Sequence, residues 1–277
     1  MSNVNQMSTI KRIITTLFCV IILVIVSANE AAAIIGGERA NNGEEAWMVG
    51  VVLADVQNGY YAQFCGGTLI DARWVLTAAH CTYNEDGQQF IASELEIVVN
   101  RNRLSSKSGE RIAVEQIIRH PRFDGYTYDV DLALLELTEP SSGTPVQITL
   151  TEISDDQMAY IYGWGVSDRG RAVDGLRKVK MPAVNRQECA TAYAKYERMV
   201  SDNMICVGYA HGKKDACTGD SGGPLITQNR WTGEWVQQGI VSWGEGCAQA
   251  GAYGVYTNLA RFKSWIDFQV TFYNLYR

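Results

Sequence analysis

Short apolar runs punctuated by Gly, Asn and Asp constrain this chain more than any other feature. One series occupies residues 47–53, 64–70, 74–78, 94–99, 111–118 and 132–137. Turn formers at 139–145 (EPSSGTP) break the pattern, and a second series follows at 158–163, 176–184, 204–209, 224–227, 235–243 and 254–257. Runs this short with no long helical stretch between them predict an all-β fold, an antiparallel barrel or a sandwich, divided near the 139–145 link. Residues 185–199 have a helical composition. Leu259, Phe262, Trp265, Ile266 and Val270 recur at three- and four-residue spacings, which predicts a closing helix packed on the second set of strands.

Within the second series lies Gly219-Asp220-Ser221-Gly222-Gly223-Pro224. Alone it reads as a surface turn, since Gly, Asp, Ser and Pro are common turn residues. Flanking glycines also let a backbone approach a bound substrate closely, which a nucleophilic serine needs. A hydroxyl is a weak nucleophile at neutral pH, so it needs a base, and the base needs an acceptor that orients it. The chain has three histidines. His80 follows an apolar run and precedes Cys81, and Asp131 opens the apolar stretch 131–135, where a buried carboxylate would need a partner. Singly, each of these residues has an ordinary structural explanation. The order His80, Asp131, Ser221 is one of those used by catalytic triads.

With these residues in place, the chain resembles the trypsin-like serine proteases of the chymotrypsin family. The resemblance rests on IIGG at 34–37, CGGTLI at 65–70, TAAHC at 77–81, DLAL at 131–134, GWG at 163–165, GDSGGP at 219–224, SWG at 242–244 and GVY at 254–256. It implies two antiparallel six-stranded β-barrels with a C-terminal α-helix, spanning 34–143 and 144–277 and acting as one peptidase unit. It implies that His80, Asp131 and Ser221 are catalytic, with the N–H groups of Gly219 and Ser221 as the oxyanion hole. The substrate-binding set would be Asp215, Ala216, Ser242, Trp243, Gly244 and Gly254. Asp215 would floor a pocket selective for Arg or Lys, because a carboxylate there is costly to desolvate unless a cation enters. Ala216, where serine is often found, would tilt the choice toward Arg. Trp243 and Tyr128 are candidate walls for neighbouring substrate residues.

An activation ion pair would join a new N-terminus at Ile34 to Asp220, yet Ala33 precedes Ile34 where Arg or Lys is expected, and Gln63 stands where many precursors carry a histidine. Tyr253 replaces a common proline and reads either as the companion of a sodium site or as a packed aromatic. Residues 98–109 offer no carboxylate to a calcium ion. Neither a metal nor another cofactor is expected.

Residues 1–33 carry Lys11-Arg12, an uncharged apolar run over 13–26, then small residues ending in Ala31-Ala32-Ala33. This reads as a secretory signal peptide, cut after Ala28 or Ala33, with 29–33 a short propeptide in the first case. The apolar run is shorter than the roughly 20 residues that span a bilayer. Beyond it lie 22 basic and 29 acidic residues, a balance that argues against nucleic acid and anionic membranes as partners. Six of the seven cysteines follow residue 33, and six half-cystines allow fifteen connectivities. The resemblance implies Cys65 to Cys81, Cys189 to Cys206 and Cys217 to Cys247. The expected product is a secreted monomer acting on polypeptides, with protein protease inhibitors as further partners. A rival expectation is a protease-fold binding protein that has lost catalysis, and a third is chymotrypsin-like selectivity, which Asp215 opposes.

Overall fold

A computed structural model describes residues 34–41, 45–167, 170–229 and 232–276; the segment read as a signal peptide lies outside them. The described residues belong to one compact unit. Strands β2 (Met48–Leu53), β3 (Gln63–Asp71), β4 (Trp74–Thr77), β5 (Leu95–Val99), β6 (Glu110–Arg119) and β7 (Ala133–Leu137) form a closed barrel in the order β2-β3-β4-β7-β6-β5. All its pairings are antiparallel. Val49, Leu69, Leu76, Ile97 and Leu134 are fully buried in its core.

The second barrel comprises β9 (Met158–Gly163), β10 (Arg177–Val184), β11 (Met204–Val207), β12 (Pro224–Gln228), β13 (Trp235–Trp243) and β14 (Gly254–Asn258). It closes through β9, which pairs with both β10 and β12. Two short strands join its outside, β1 (Glu38–Arg39) on β10 and β8 (Gln147–Ile148) parallel to β13. Burial along β10 alternates strictly, as a strand with one face on a core requires. The expected two-barrel, all-β architecture is what the chain forms.

Helix α1 (Gly59–Ala62) is a single turn, and α2 (Arg186–Ala194) is capped by Asn185, whose side chain accepts from the N–H groups of Gln187 and Glu188. Helix α3 (Lys263–Leu275) departs from expectation. Its buried side packs on the first barrel rather than the second: Trp74 Nε1 donates to Asn274 Oδ1 at 3.1 Å, Gln116 Nε2 donates to the Tyr273 hydroxyl at 3.2 Å, and the Trp265 ring meets that of His120 at 4.6 Å, tilted by 56°. Ile266 thereby joins the core that holds Trp74 and Leu135. Apolar spacing dictates that a face be buried; the path of the chain from β14 decides against what.

The barrels meet along glycine-lined backbone. A Cβ on Gly66 would lie 2.9 Å from the Gly223 Cα, and Gly66 N–H donates to the Ser221 carbonyl at 2.7 Å. The disulfides Cys65–Cys81, Cys189–Cys206 and Cys217–Cys247 are all formed. The first ties the neighbour of Gly66 to the neighbour of His80.

Candidate active site

His80 starts a 3₁₀ turn (His80–Thr82) that two residues separate from the end of β4, and Asp131 sits, fully buried, just before β7. Adjacent pairing of β4 with β7 carries the two together. Asp131 Oδ1 accepts from the His80 backbone N–H at 2.9 Å and Oδ2 accepts from His80 Nδ1 at 2.7 Å. The second barrel completes the cage: Ser242 Oγ donates to the same Oδ2 at 2.6 Å, and Thr257 Oγ1 donates to the Asp131 carbonyl at 2.7 Å. A buried carboxylate with these donors is satisfied as an anion. It fixes the ring so that Nδ1 carries a proton and Nε2 keeps a lone pair. Burial pulls the His80 pKa down, but the charge and hydrogen bond of Asp131 outweigh it, and the net position is above 6.5.

Ser221 lies half-buried in a turn whose shape depends on Gly222. Its φ is +80°, and a Cβ there would stand 2.3 Å from Thr77 Oγ1 and 2.5 Å from the Gly66 carbonyl. No hydrogen bond joins the Ser221 hydroxyl to the His80 ring among the described residues. Of the two links expected in the triad, the one between Asp131 and His80 is therefore formed and the one between His80 and Ser221 is open. Such contacts commonly tighten only when substrate is bound. Within 219–223, the N–H groups of Asp220, Gly222 and Gly223 are spent on carbonyls. Those of Gly219 and Ser221 donate to nothing among the described residues, and both stay available to an incoming oxygen.

Beside Ser221 is a cavity of about 210 Å³ lined by Asp215, Ala216, Trp243, Gly244, Gly254 and Tyr256 among others. Asp215 Oδ2 accepts from Ala248 N–H at 2.9 Å, while a Cβ on Gly254 would stand 2.9 Å from Oδ1. Burial pushes the Asp215 carboxyl up to about 7. The Tyr256 hydroxyl, also buried, has no hydrogen-bond partner among the described residues. Ser242, expected among the substrate-binding residues, does not line this cavity; its hydroxyl is engaged by Asp131. Tyr256 was not singled out, although it ends the GVY motif.

The ion pair expected between Ile34 and Asp220 is absent, because the Ile34 nitrogen is still part of a peptide bond. Ile34 is nevertheless buried, and Ile35 N–H donates to the Asp215 carbonyl at 3.0 Å. The Asp220 carboxylate takes Gly165 N–H at 2.8 Å and Cys217 N–H at 2.9 Å. Gly165 is required there, since its Cβ would fall 2.6 Å from the Asp220 carboxyl carbon. With no cation beside it among the described residues, Asp220 is pushed up to about 7 by burial. Gln63 makes no hydrogen bond to the Asp220 carboxylate among the described residues; its Nε2 donates to the carbonyls of Gly219 and Cys65. Tyr253 is packed: its hydroxyl donates to Glu188 Oε1 at 2.6 Å and its carbonyl accepts from the Tyr193 hydroxyl. Cys65, Cys81 and His80 form a tight group of potential metal ligands, but both sulfurs are consumed in a disulfide.

The chain matches the family model described as Trypsin over residues 34–266. It is 36% identical to trypsin eta of Drosophila melanogaster over 95% of this chain and 98% of that protein. It is 38% identical to trypsin 5G1 of Aedes aegypti, over 74% of each chain. It is also 34% identical to human mannan-binding lectin serine protease 1, where the match covers 85% of this chain but 35% of the longer relative.

Proposed function

The chain belongs to the trypsin family of serine endopeptidases, and from that premise we propose that it is secreted and hydrolyses polypeptides after Arg or Lys, using Ser221, His80 and Asp131. The hydrogen bond from His80 Nδ1 to the buried Asp131 carries this reading. It leaves Nε2 unprotonated, with the disulfide sulfur of Cys81 at 3.8 Å, on a residue that the Cys65–Cys81 bridge and Gly66 tie to the Ser221 turn.

In this mechanism Ser221 Oγ attacks the scissile carbonyl as its proton passes to His80 Nε2, and Asp131 stabilises the imidazolium. The resulting oxyanion takes the N–H groups of Gly219 and Ser221. The imidazolium then protonates the leaving amine, giving an acyl-Ser221 that water hydrolyses by the reverse sequence. Asp215 and the Tyr256 hydroxyl, at the floor of the adjoining cavity, supply an anion and a polar partner for the guanidinium or ammonium of the cleaved residue. Activation exposes Ile34, whose ammonium pairs with Asp220. With Ala33 before it, signal peptidase or a protease that is not trypsin-like makes the cut.

Cleavage of an Arg ester that is abolished in Ser221→Ala and blocked by a serine-directed acylating reagent supports this reading; an unaffected Ser221→Ala variant overturns it. An inert wild-type protein would instead favour the binding-protein alternative. Sequencing the N-terminus of secreted protein tests activation: Ile34 is expected, and fully active enzyme beginning at Asn29 overturns it.

A further inference from the structure

We propose that a second cavity, the one beside His80, seats the side chain of another arginine or lysine next to the cleaved residue, so that the enzyme favours substrates carrying two basic residues close together. The inference rests on the reading above, that the first basic residue enters the Asp215 cavity.

The cavity has a volume of about 470 Å³, larger than the one over Asp215, and its lining includes His80, Tyr83, Glu85, Phe123 and Tyr128. Its rings form a continuous wall leading away from His80. Tyr128 meets the imidazole edge-on at 5.5 Å, Phe123 meets Tyr128 at 6.5 Å, and Tyr83 meets Phe123 at 6.0 Å. Aromatic faces attract cations through the ring quadrupole, and guanidinium groups stack on them. The wall is held from the second barrel: Asp129, next to Tyr128, accepts from Ser201 Oγ and from Asn203 Nδ2.

Glu85 is the only carboxylate on the lining, and it makes no hydrogen bond or ion pair among the described residues. Asp86 and Asp124 are carried by the same two loops outside the lining, the latter occupied by the N–H groups of Tyr126 and Thr127. Two cations lie nearby. Arg119 covers one face of Tyr83 at 5.2 Å, but its N–H groups are given to Thr82 and Phe90 oxygens. Arg122 precedes Phe123 and does not line the cavity. The lining is therefore aromatic and carries one carboxylate, Glu85, that no cation engages among the described residues. An apolar side chain would use only the rings, whereas a cation uses the rings and Glu85 together.

The test uses the full-length secreted enzyme and peptides identical except for one position adjacent to the cleaved Arg, on either side, filled by Arg, its neutral isostere citrulline, or norleucine. Arg is expected to raise kcat/KM about 5- to 10-fold over citrulline at one of the two positions. Within the Glu85→Gln variant the Arg-to-citrulline ratio should fall to about 2. Equal rates on Arg and citrulline, a preference for norleucine, or an undiminished ratio in Glu85→Gln overturns the second cation site. Failure to cut any of the peptides overturns the underlying Arg/Lys reading instead, and the second site with it.

Discussion

Gln63 Nε2 donates to the Gly219 carbonyl at 2.8 Å, joining residues 156 positions apart in the chain. On the other side of Gly219, Val166 N–H donates to the Thr218 carbonyl, also at 2.8 Å. The peptides flanking the proposed oxyanion donor are therefore both anchored, at a glycine whose φ of +94° few other residues adopt. Gln63→Leu removes one anchor and leaves a carbonyl short of a partner, at a cost of about 1 kcal/mol or somewhat more. Because the oxyanion exists only along the reaction, kcat on an Arg ester should fall about 5- to 10-fold with KM nearly constant. A change confined to KM would count against the anchoring role.

The His80–Asp131 pair sets an expected pH profile. His80 must be neutral to accept the serine proton, and its pKa lies above 6.5 because Asp131 favours the imidazolium more than burial opposes it. The acid limb of kcat/KM should accordingly have its midpoint above 6.5. Asp131→Asn removes both the charge and the correct tautomer, so the midpoint should move down while the plateau drops by roughly 10⁴, as in other triads of this kind. An acid limb that stays put in Asp131→Asn would assign it to a different group.

Asp215 predicts proton-linked binding. Its carboxyl is pushed up to about 7 by burial, and a guanidinium or amidinium entering the cavity favours the ionised form. Binding should release a proton below about pH 7, and affinity should weaken toward tenfold per pH unit as the medium is made more acidic. Calorimetry in two buffers of different ionisation heat measures the released proton directly. Asp215→Asn should reduce kcat/KM on Arg substrates by about 10²- to 10³-fold. Affinity that is flat from pH 5 to 8 would contradict the linkage.

These expectations draw unequally on what the sequence discloses. The strands were legible because each is a short apolar run ended by turn formers, and β9 and β13 match their expected bounds. The pairing of His80 with Asp131 was legible because both sit at the mouths of neighbouring apolar runs. Ser242 donating to Asp131, and Gln63 to Gly219, were not. Each joins residues more than a hundred positions apart whose meeting depends on barrel closure and on the register between barrels, which a two-residue alternation does not encode. Likewise, the spacing of Phe262, Ile266 and Val270 announces a buried helical face, while the identity of its neighbour follows from where β14 leaves the chain. The missing Ile34–Asp220 pair has a covalent cause, since the nitrogen acquires its charge only when the bond to Ala33 is cut.

That last point leads to a difference in pH dependence between the cut and uncut chains. In the uncut chain the Asp220 pKa is raised from 3.8 to about 7 by complete burial. A group raised on folding contributes stability that is fully present below its unfolded value and is lost as pH rises through the folded value. The uncut chain should therefore lose stability between about pH 4 and 7. An Ile34 ammonium beside the carboxylate lowers the folded pKa, and the sign reverses: stability is then present above the unfolded value and lost as acid protonates the pair. The Ser221→Ala chain, which cannot cut itself, and the same variant beginning at Ile34 should melt at similar temperatures near pH 4. They should separate by several degrees at pH 8, with the cut form more stable. A gap of constant size across that range would mean that Asp220 does not receive the new terminus.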